Sequence, residues 1–431
     1  MPQEIRAALE GFLQNARQPA LYEPGEELLL LTGENFSLEV RGSRLTLQAW
    51  DRTRNITRRV VSVRKSENGR VELSVERFAR REGQLVLVDL ARRAGADASR
   101  RSGRLAFRER YRLFLRRQFP EWVLAGLSVE ADLEHSLSPA FPRAFLRHGQ
   151  HGWASMGCPP DGDPAAALSF GLIWLSYLRA REPRVVIEGL AVHLPAGQER
   201  APALRVLCLD PSTARFELFS YTEDDDVALL DPHDYGNLDT RLEPARSRPE
   251  GCLTGFERLL SLPGVECIPR HPLYRQAPEA WLESQARAHI EILDASLRRA
   301  PIYGQTPVFT GGDRGVLDLL AVDHTGRLAI LELKASPDLH LPMQALDYWV
   351  RVKWHLDRRE FSAAGYFPGI ELRPDPPRLL LVSPSLEFHP ATETLLGYLS
   401  PGIDVLRIGV GVEWRKGLRV MFRLRGSERP H

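Results

Sequence analysis

Gly311–Tyr348 reads GGDRGVLDLLAVDHTGRLAILELKASPDLHLPMQALDY, and the rest of the chain takes its meaning from this stretch. Two apolar runs, VLDLLAV and RLAILELKA, flank Asp323, His324, Thr325 and Gly326, a turn composition, so a β-hairpin is expected. Asp318 is the only charge in the first run. In the second, Leu328, Ala329, Ile330 and Leu331 are apolar on both faces, as in a buried strand. Glu332 and Lys334 then stand two apart, which puts them on one face, with Leu331, Leu333 and Ala335 on the other. Buried charges are costly unless they are paired or bound to metal. Three of them on one hairpin need a cause.

Phosphodiester hydrolysis is such a cause. In-line attack on a phosphate needs a cation to neutralise oxygens and a group to position the attacking water. Asp318, Glu332 and the main-chain carbonyl of Leu333 make the hard oxygen set that Mg²⁺ favours, with waters and substrate phosphate completing it. Lys334 then orients or deprotonates the water, or stabilises the pentavalent charge, roles that suit a compact ammonium better than a planar guanidinium. Of 57 Lys and Arg residues only Lys65, Lys334, Lys353 and Lys416 are lysines, so Lys334 departs from the chain's habit where this chemistry asks for it. Downstream, Pro342 fits a first helical turn, and Met343, Leu346, Val350 and Trp354 follow at helical steps. Gln344 and Tyr348, four apart, share a face of that helix.

Asp318, thirteen residues, Glu332-Leu333-Lys334, then Gln344 and Tyr348 in this order resemble the PD-(D/E)XK, or restriction-endonuclease-like, nuclease superfamily. The likeness is to its RecB-like branch with a QxxxY helix and to mismatch-type endonucleases, whose GxxD element is matched by Gly315–Asp318. The Pro of the superfamily's name is absent. The family usually adds a glutamate on the preceding helix, and WLESQARAHIEILDASLRRA offers Glu283 and Glu291. Glu283 borders the stripe of Leu282, Ala286, Ile290, Leu293 and Leu297, whereas Glu291 lies on the other side, so Glu283 is the choice. The resemblance implies an αβββαβ core with a mixed sheet, completed by strands at Tyr303–Phe309 and Arg378–Ser383. It further implies Mg²⁺, with Mn²⁺ as substitute, and DNA as substrate. RNA stays open, as do a homodimer and a catalytically silent scaffold of the same fold that binds nucleic acid or protein. A lone ExK on a strand is an ordinary ion pair; the ordered set is what carries specificity.

At 431 residues the chain has room for two or three domains, and 43% hydrophobic with 26% charged content is that of a globular protein. A net charge of +1 excludes a uniformly basic coat, so a nucleic-acid surface has to be local. No apolar run reaches membrane-span length and the first residues lack a signal peptide's apolar stretch, so a cytoplasmic protein is expected. Cys158, Cys208, Cys252 and Cys267 are scattered without metal-ligand spacing and read as free thiols.

The whole is expected to be α/β in class. Residues 1–117 read as a helix followed by a β-rich module, a meander or small barrel, closing on an Arg-rich segment. Between Arg92 and Arg117 ten arginines face two acids, a local charge of +8, interleaved with Phe107, Tyr111 and Phe114. Arg100, Arg101, Arg104 and Arg108 there, and Arg314 beside the hairpin, are the candidate nucleic-acid contacts; an amphipathic helix with aromatics turned inward is the alternative. Residues 118–272 read as a middle α/β unit, with a helix at AALSFGLIWLSYLRARE and strands at RVVIEGLAVHL, ALRVLCLD and RFELFSYTE. Residues 273–431 are expected, from the resemblance, to be the nuclease-like domain.

Overall fold

The computed structural model describes residues 2–23, 28–32, 35–42, 44–50, 55–67, 69–76, 82–238, 240–245, 278–304, 309–310 and 317–428; at 55, 67, 82, 93–102 and 309–310 only the backbone is described. It is mixed α/β with several sheets, two of them mixed. The chain divides into two compact units. One is Met1–Glu121 with Leu127–Glu130 and Pro139–Pro142; the other is Trp122–Gly126 with Ala131–Ser138 and Arg143–His431.

In the first unit, helix α1 (Pro2–Asn15) accompanies seven antiparallel strands: β1 (Pro19–Tyr22), β2 (Leu29–Leu30), β3 (Phe36–Arg41), β4 (Arg44–Trp50), β5 (Asn55–Glu67), β6 (Arg70–Glu76) and β7 (Glu82–Asp89). Their order is β2-β1-β7-β6-β5-β4-β3, a meander from β3 to β7 with β1 and β2 added beside β7. Among the described residues β2 is confined to Leu29–Leu30, because the preceding PALY occupies the position beside β7. Helix α2 (Arg93–Gln118) follows, with Phe107, Tyr111 and Phe114 buried at helical spacing. The aromatics therefore serve packing. Arg108 and Arg112 both hold Glu109, at 2.7 and 2.5 Å, and Arg104 is half-buried. The side chains of Arg100 and Arg101 lie outside the described residues, as does Arg314.

The second unit carries two six-stranded sheets. The first has β8 (Val123–Ser128), β9 (Arg143–His148), β10 (His151–Gly157), β11 (Val186–Pro195), β12 (Arg215–Tyr221) and β13 (Val227–Leu230) in the order β13-β12-β11-β10-β9-β8. β10, β11 and β12 are parallel and the flanking pairs β9–β10 and β12–β13 antiparallel. Helix α3 (Pro164–Arg181), between β10 and β11, starts where the Asp163 carboxylate accepts the N–H groups of Ala165 and Ala166. The segment ALRVLCLD is no strand: Arg200–Val206 is a helix, α4, because its first residues favour a helical turn and it buries Pro202, Ala203 and Arg205. His148 and His151 end and begin the two strands of a hairpin turned at Gly149, whose φ is +63°.

In the second sheet the order is β15-β17-β18-β19-β20-β21. Helix α5 (Pro278–Ala288) and the single turn α6 (Ile290–Leu293) precede it. The expected single helix from Trp281 to Ala300 thus breaks at His289 and stops at Asp294, whose carboxylate caps Ser296 and binds Arg378 at 2.7 Å. The expected strand at Tyr303–Phe309 is split as well. β15 (Tyr303–Gly304) pairs with β17 (Leu319–Val322), whereas β16 (Phe309–Thr310) pairs with β14 (Arg241–Leu242) in a separate two-stranded sheet. β17 and β18 (Leu328–Leu333) are antiparallel. Helix α7 (Leu341–Asp357) then leads, by way of α8 (Glu360–Ala363), to β19 (Arg378–Pro384), which lies parallel to β18. α9 (Thr392–Leu396) precedes β20 (Val405–Val410), parallel to β19, and β21 (Val420–Arg425) closes the sheet antiparallel. Trp281, Leu282, Ala286, Leu319, Leu331, Leu333, Val382, Ile408 and Trp414 share one core, so α5 covers one face of the sheet. Among the described residues no helix is long and apolar enough to cross a membrane.

Candidate active site

The β17–β18 turn is built by Asp323, whose carboxylate accepts the N–H of Thr325 at 2.8 Å, its hydroxyl at 2.7 Å and the N–H of Arg327 at 3.0 Å. Gly326 has a φ of +90°, and a Cβ there would meet the Glu371 carbonyl at 2.3 Å, so glycine is required on both counts. This turn fixes the register of Leu319 against Leu331. Asp318 lies just before β17, at its mouth instead of in the strand interior, and Lys334 just past the end of β18. The two are joined through Leu333, whose N–H donates to Asp318 Oδ2 at 2.8 Å. A strand residue turns its N–H and C=O to the same edge, so the Leu333 carbonyl also faces the Asp318 side.

Glu332 is 1% exposed, and its Oε2 has no hydrogen-bond partner among the described residues. Burial pushes its carboxyl well above the usual range; the neighbouring Asp318 pushes it further, and Lys334 opposes both. Asp318 is pushed up to about 6, first by burial, with the Leu333 N–H pulling back and Glu283 adding repulsion. Glu332 thus sits in the field of Asp318, and Asp318 in that of Glu283 and Glu279. Lys334 Nζ stands 4.0 Å from Glu332 Oε1, 3.9 Å from Glu279 Oε2 and 3.8 Å from Asp338 Oδ2. Its period-two partnership with Glu332 holds in space.

The other expected members meet here too. Glu283 is buried on α5 and acts on Asp318 through its charge, but it is held by Arg287 at 2.6 Å. Gly304 on β15 makes that pair possible, because a Cβ there would stand 1.9 Å from Arg287 Nη2. Glu291 pairs instead with Arg299 at 3.0 Å. On α7, Gln344 and Tyr348 are hydrogen bonded to each other, and burial followed by the Glu332 charge raises the Tyr348 phenol. Sequence reasoning missed Glu279 and Asp338. The signal was present: Glu279 is one turn before Glu283 and Asp338 four residues after Lys334. Gly315 and Val316 of the GxxD element lie outside the described residues.

These raised carboxyls have a consequence for the metal-free protein. A group whose folded pKa lies above its unfolded one contributes stability below the unfolded value and loses it as pH rises through the folded one. Between about pH 4 and a little above pH 6, therefore, Asp318 makes the fold progressively less stable, and Glu332, raised well above its usual range, acts in the same direction. Thermal melts in EDTA are expected to show the wild type losing ground to Asp318→Asn across that window. A constant difference between the two would mean that Asp318 ionises normally.

Cys158 and Cys208 are free and buried, and burial pushes both thiols up, Cys208 to about 12. Cys252 and Cys267 lie outside the described residues. Among the described residues no group of three or more His, Cys, Asp and Glu side chains is arranged to hold a metal ion. Compared with known proteins, the chain matches no family model and no curated protein.

Proposed function

We propose that this protein is a metal-dependent nuclease of the PD-(D/E)XK kind that hydrolyses phosphodiester bonds in DNA. The carrying observation is the pair of buried carboxyls, Asp318 and Glu332, both raised, the second in the field of the first, with a buried Glu332 oxygen that has no partner among the described residues beside Lys334. A fold keeps such an arrangement against its own stability when something binds there. The donor set fits Mg²⁺, which takes one or two carboxylates and completes its shell with water and phosphate oxygens. Asp318, Glu332 and the Leu333 carbonyl are the residues that would hold it, with Mn²⁺ as substitute. When bound, the cation supplies charge neutralisation at the phosphate and acidifies water.

The chain's own residues do the rest. Lys334, 14% exposed at its side chain, orients the attacking water. Glu279 and Asp338, each within 4 Å of Lys334 Nζ, keep that ammonium aimed. Gln344 and Tyr348, bonded to each other, stand on the Glu332 side, and the Glu283–Arg287 pair stands on the Asp318 side. The order α5-β15-β17-β18-α7-β19 supports the family's αβββαβ core. With free thiols at Cys158 and Cys208, a reducing compartment suits the chain, and on this reading it acts in the cytoplasm.

The test is incubation of the purified protein with linear, circular and single-stranded DNA and with RNA, each in Mg²⁺ and in EDTA. Degradation of a DNA form in the Mg²⁺ lane alone is the expected result. Equal inertness in every lane, with folding verified by a cooperative melt, would replace this reading with that of a silent scaffold.

A further inference from the structure

We propose that a cavity of about 460 Å³ on the α3 side of the site, lined by Tyr177, His135, Arg181, Ser176, Thr394 and Pro390, holds an unpaired nucleobase of the strand being cut. The proposal rests on the nuclease reading for its substrate and on the following geometry for its place. The Tyr177 ring stacks on Trp174 at 5.4 Å and 19°, giving a flat π surface on a helix and not on a loop. His135 meets Tyr177 edge-on at 4.6 Å, and its Nδ1 is held by both oxygens of Asp132, at 3.0 and 2.9 Å, so the imidazole is fixed in orientation. The Arg181 guanidinium lies 5.9 Å from the Tyr177 ring centroid.

Such a box of two rings and a guanidinium is what a base plane recognises. Thr394 adds a hydroxyl for the base edge, whereas that of Ser176 is bonded to Tyr398. Charge decides between a base and a free phosphate: Arg181 is set against Glu182 at 3.7 Å, and Glu134 also lines the cavity. The cations are thus offset, and a neutral ring fits where an anion does not.

The cavity is joined to the active site along two walls. On α3, the Phe170 ring meets His340 at 6.0 Å, and Tyr177 follows two turns later on the same side, about 10 Å along the axis. The His340 N–H donates to Asp338, the carboxylate 3.8 Å from Lys334 Nζ. On the opposite wall His389 lies in the field of Asp338 and His340, the Ala391 N–H donates to its Nδ1, and Pro390 and Ala391 line the cavity. A strand whose phosphate lies at Lys334 and which follows α3 past Phe170 therefore brings a nucleotide further along it, and not the adjacent one, to this cavity.

The experiment is anisotropy with a fluorescently labelled single-stranded oligodeoxynucleotide in EDTA, repeated with 2-aminopurine placed at successive positions. Tyr177→Ala is expected to weaken binding about tenfold or more, with Tyr177→Phe near wild type and blunt duplex unaffected. One 2-aminopurine position is expected to be quenched in wild type and Tyr177→Phe and bright in Tyr177→Ala. Thr394→Phe, which fills the cavity and spares the ring stack, should act like Tyr177→Ala if that variant fails to fold. Unchanged affinity and quenching in a folded Tyr177→Ala protein overturns the base pocket, while Mg²⁺-dependent cleavage by the wild type would leave the nuclease reading standing. Tyr177-dependent quenching without any cleavage does the reverse.

Discussion

Lys334→Ala is expected to lower Mg²⁺-dependent cleavage about 10²- to 10⁴-fold, the usual worth of a positioned proton-transfer group, while the protein keeps its fold. Glu332→Gln is expected to abolish cleavage and at the same time to stabilise the metal-free protein by about 1–3 kcal/mol at neutral pH. The opposite signs come from one cause. Glu332 is 1% exposed and in the field of Asp318, so its ionised form is paid for by the rest of the fold and only partly offset by Lys334 at 4.0 Å. An amide removes both the desolvation of a charge and the repulsion, but it also removes the anionic oxygen that a cation needs. Mg²⁺ should raise the melting temperature of the wild type and leave that of Glu332→Gln unmoved, because only a ligand that binds the native state shifts unfolding. The checks are initial rates on the DNA form the wild type degrades and melts with and without Mg²⁺. A Glu332→Gln protein that melts below the wild type in EDTA would sink the claim that this carboxylate is held at a cost.

How far the chain could be read in advance follows from where its chemistry is local. The hairpin was legible because Asp323, Thr325 and Gly326 build their turn from adjacent residues, and because period two ties Glu332 to Lys334 without reference to anything distant. The α7 pair Gln344 and Tyr348 is local in the same sense. Glu279 was missed because its meeting with Lys334 depends on how α5 lies across the sheet end, which no spacing along the chain encodes. Segments with mixed patterns were misread where a partner elsewhere decides. The apolar residues of Ala203–Cys208 alternate and also fall at helical steps, and burial of Pro202, Ala203 and Arg205 selects the helix. Phe309–Thr310 leaves the sheet that contains Tyr303–Gly304 because β14, seventy residues upstream in the chain by roughly that count, offers it a different edge.

Arg205 shows what such distant partners hold in place. It rises from α4, is 5% exposed, and makes a bidentate bond to Asp347 with Nε–Oδ1 at 2.9 Å and Nη2–Oδ2 at 2.7 Å, while Nη1 donates to the Ala165 carbonyl at 2.9 Å. Asp347 sits between Gln344 and Tyr348 on α7, so the clamp ties the wall of the active site to the middle sheet's helices. Removing either partner leaves the other unpaired, but the two losses differ. The Asp347 side chain is 29% exposed and can recover water, whereas that of Arg205 is 7% exposed and cannot. Asp347→Ala is therefore expected to cost about 3–5 kcal/mol of stability and Arg205→Ala about 2–3 kcal/mol, an order opposite to that expected from side-chain volume. The apolar double variant Arg205→Met/Asp347→Leu should recover most of the loss, since it strands no charge, yet it releases α7 from a fixed angle and should lower the cleavage rate at saturating DNA. Denaturant titrations of the three proteins decide the point: equal costs for the two single variants, or no recovery in the double, would mean that the pair is not the clamp its geometry describes.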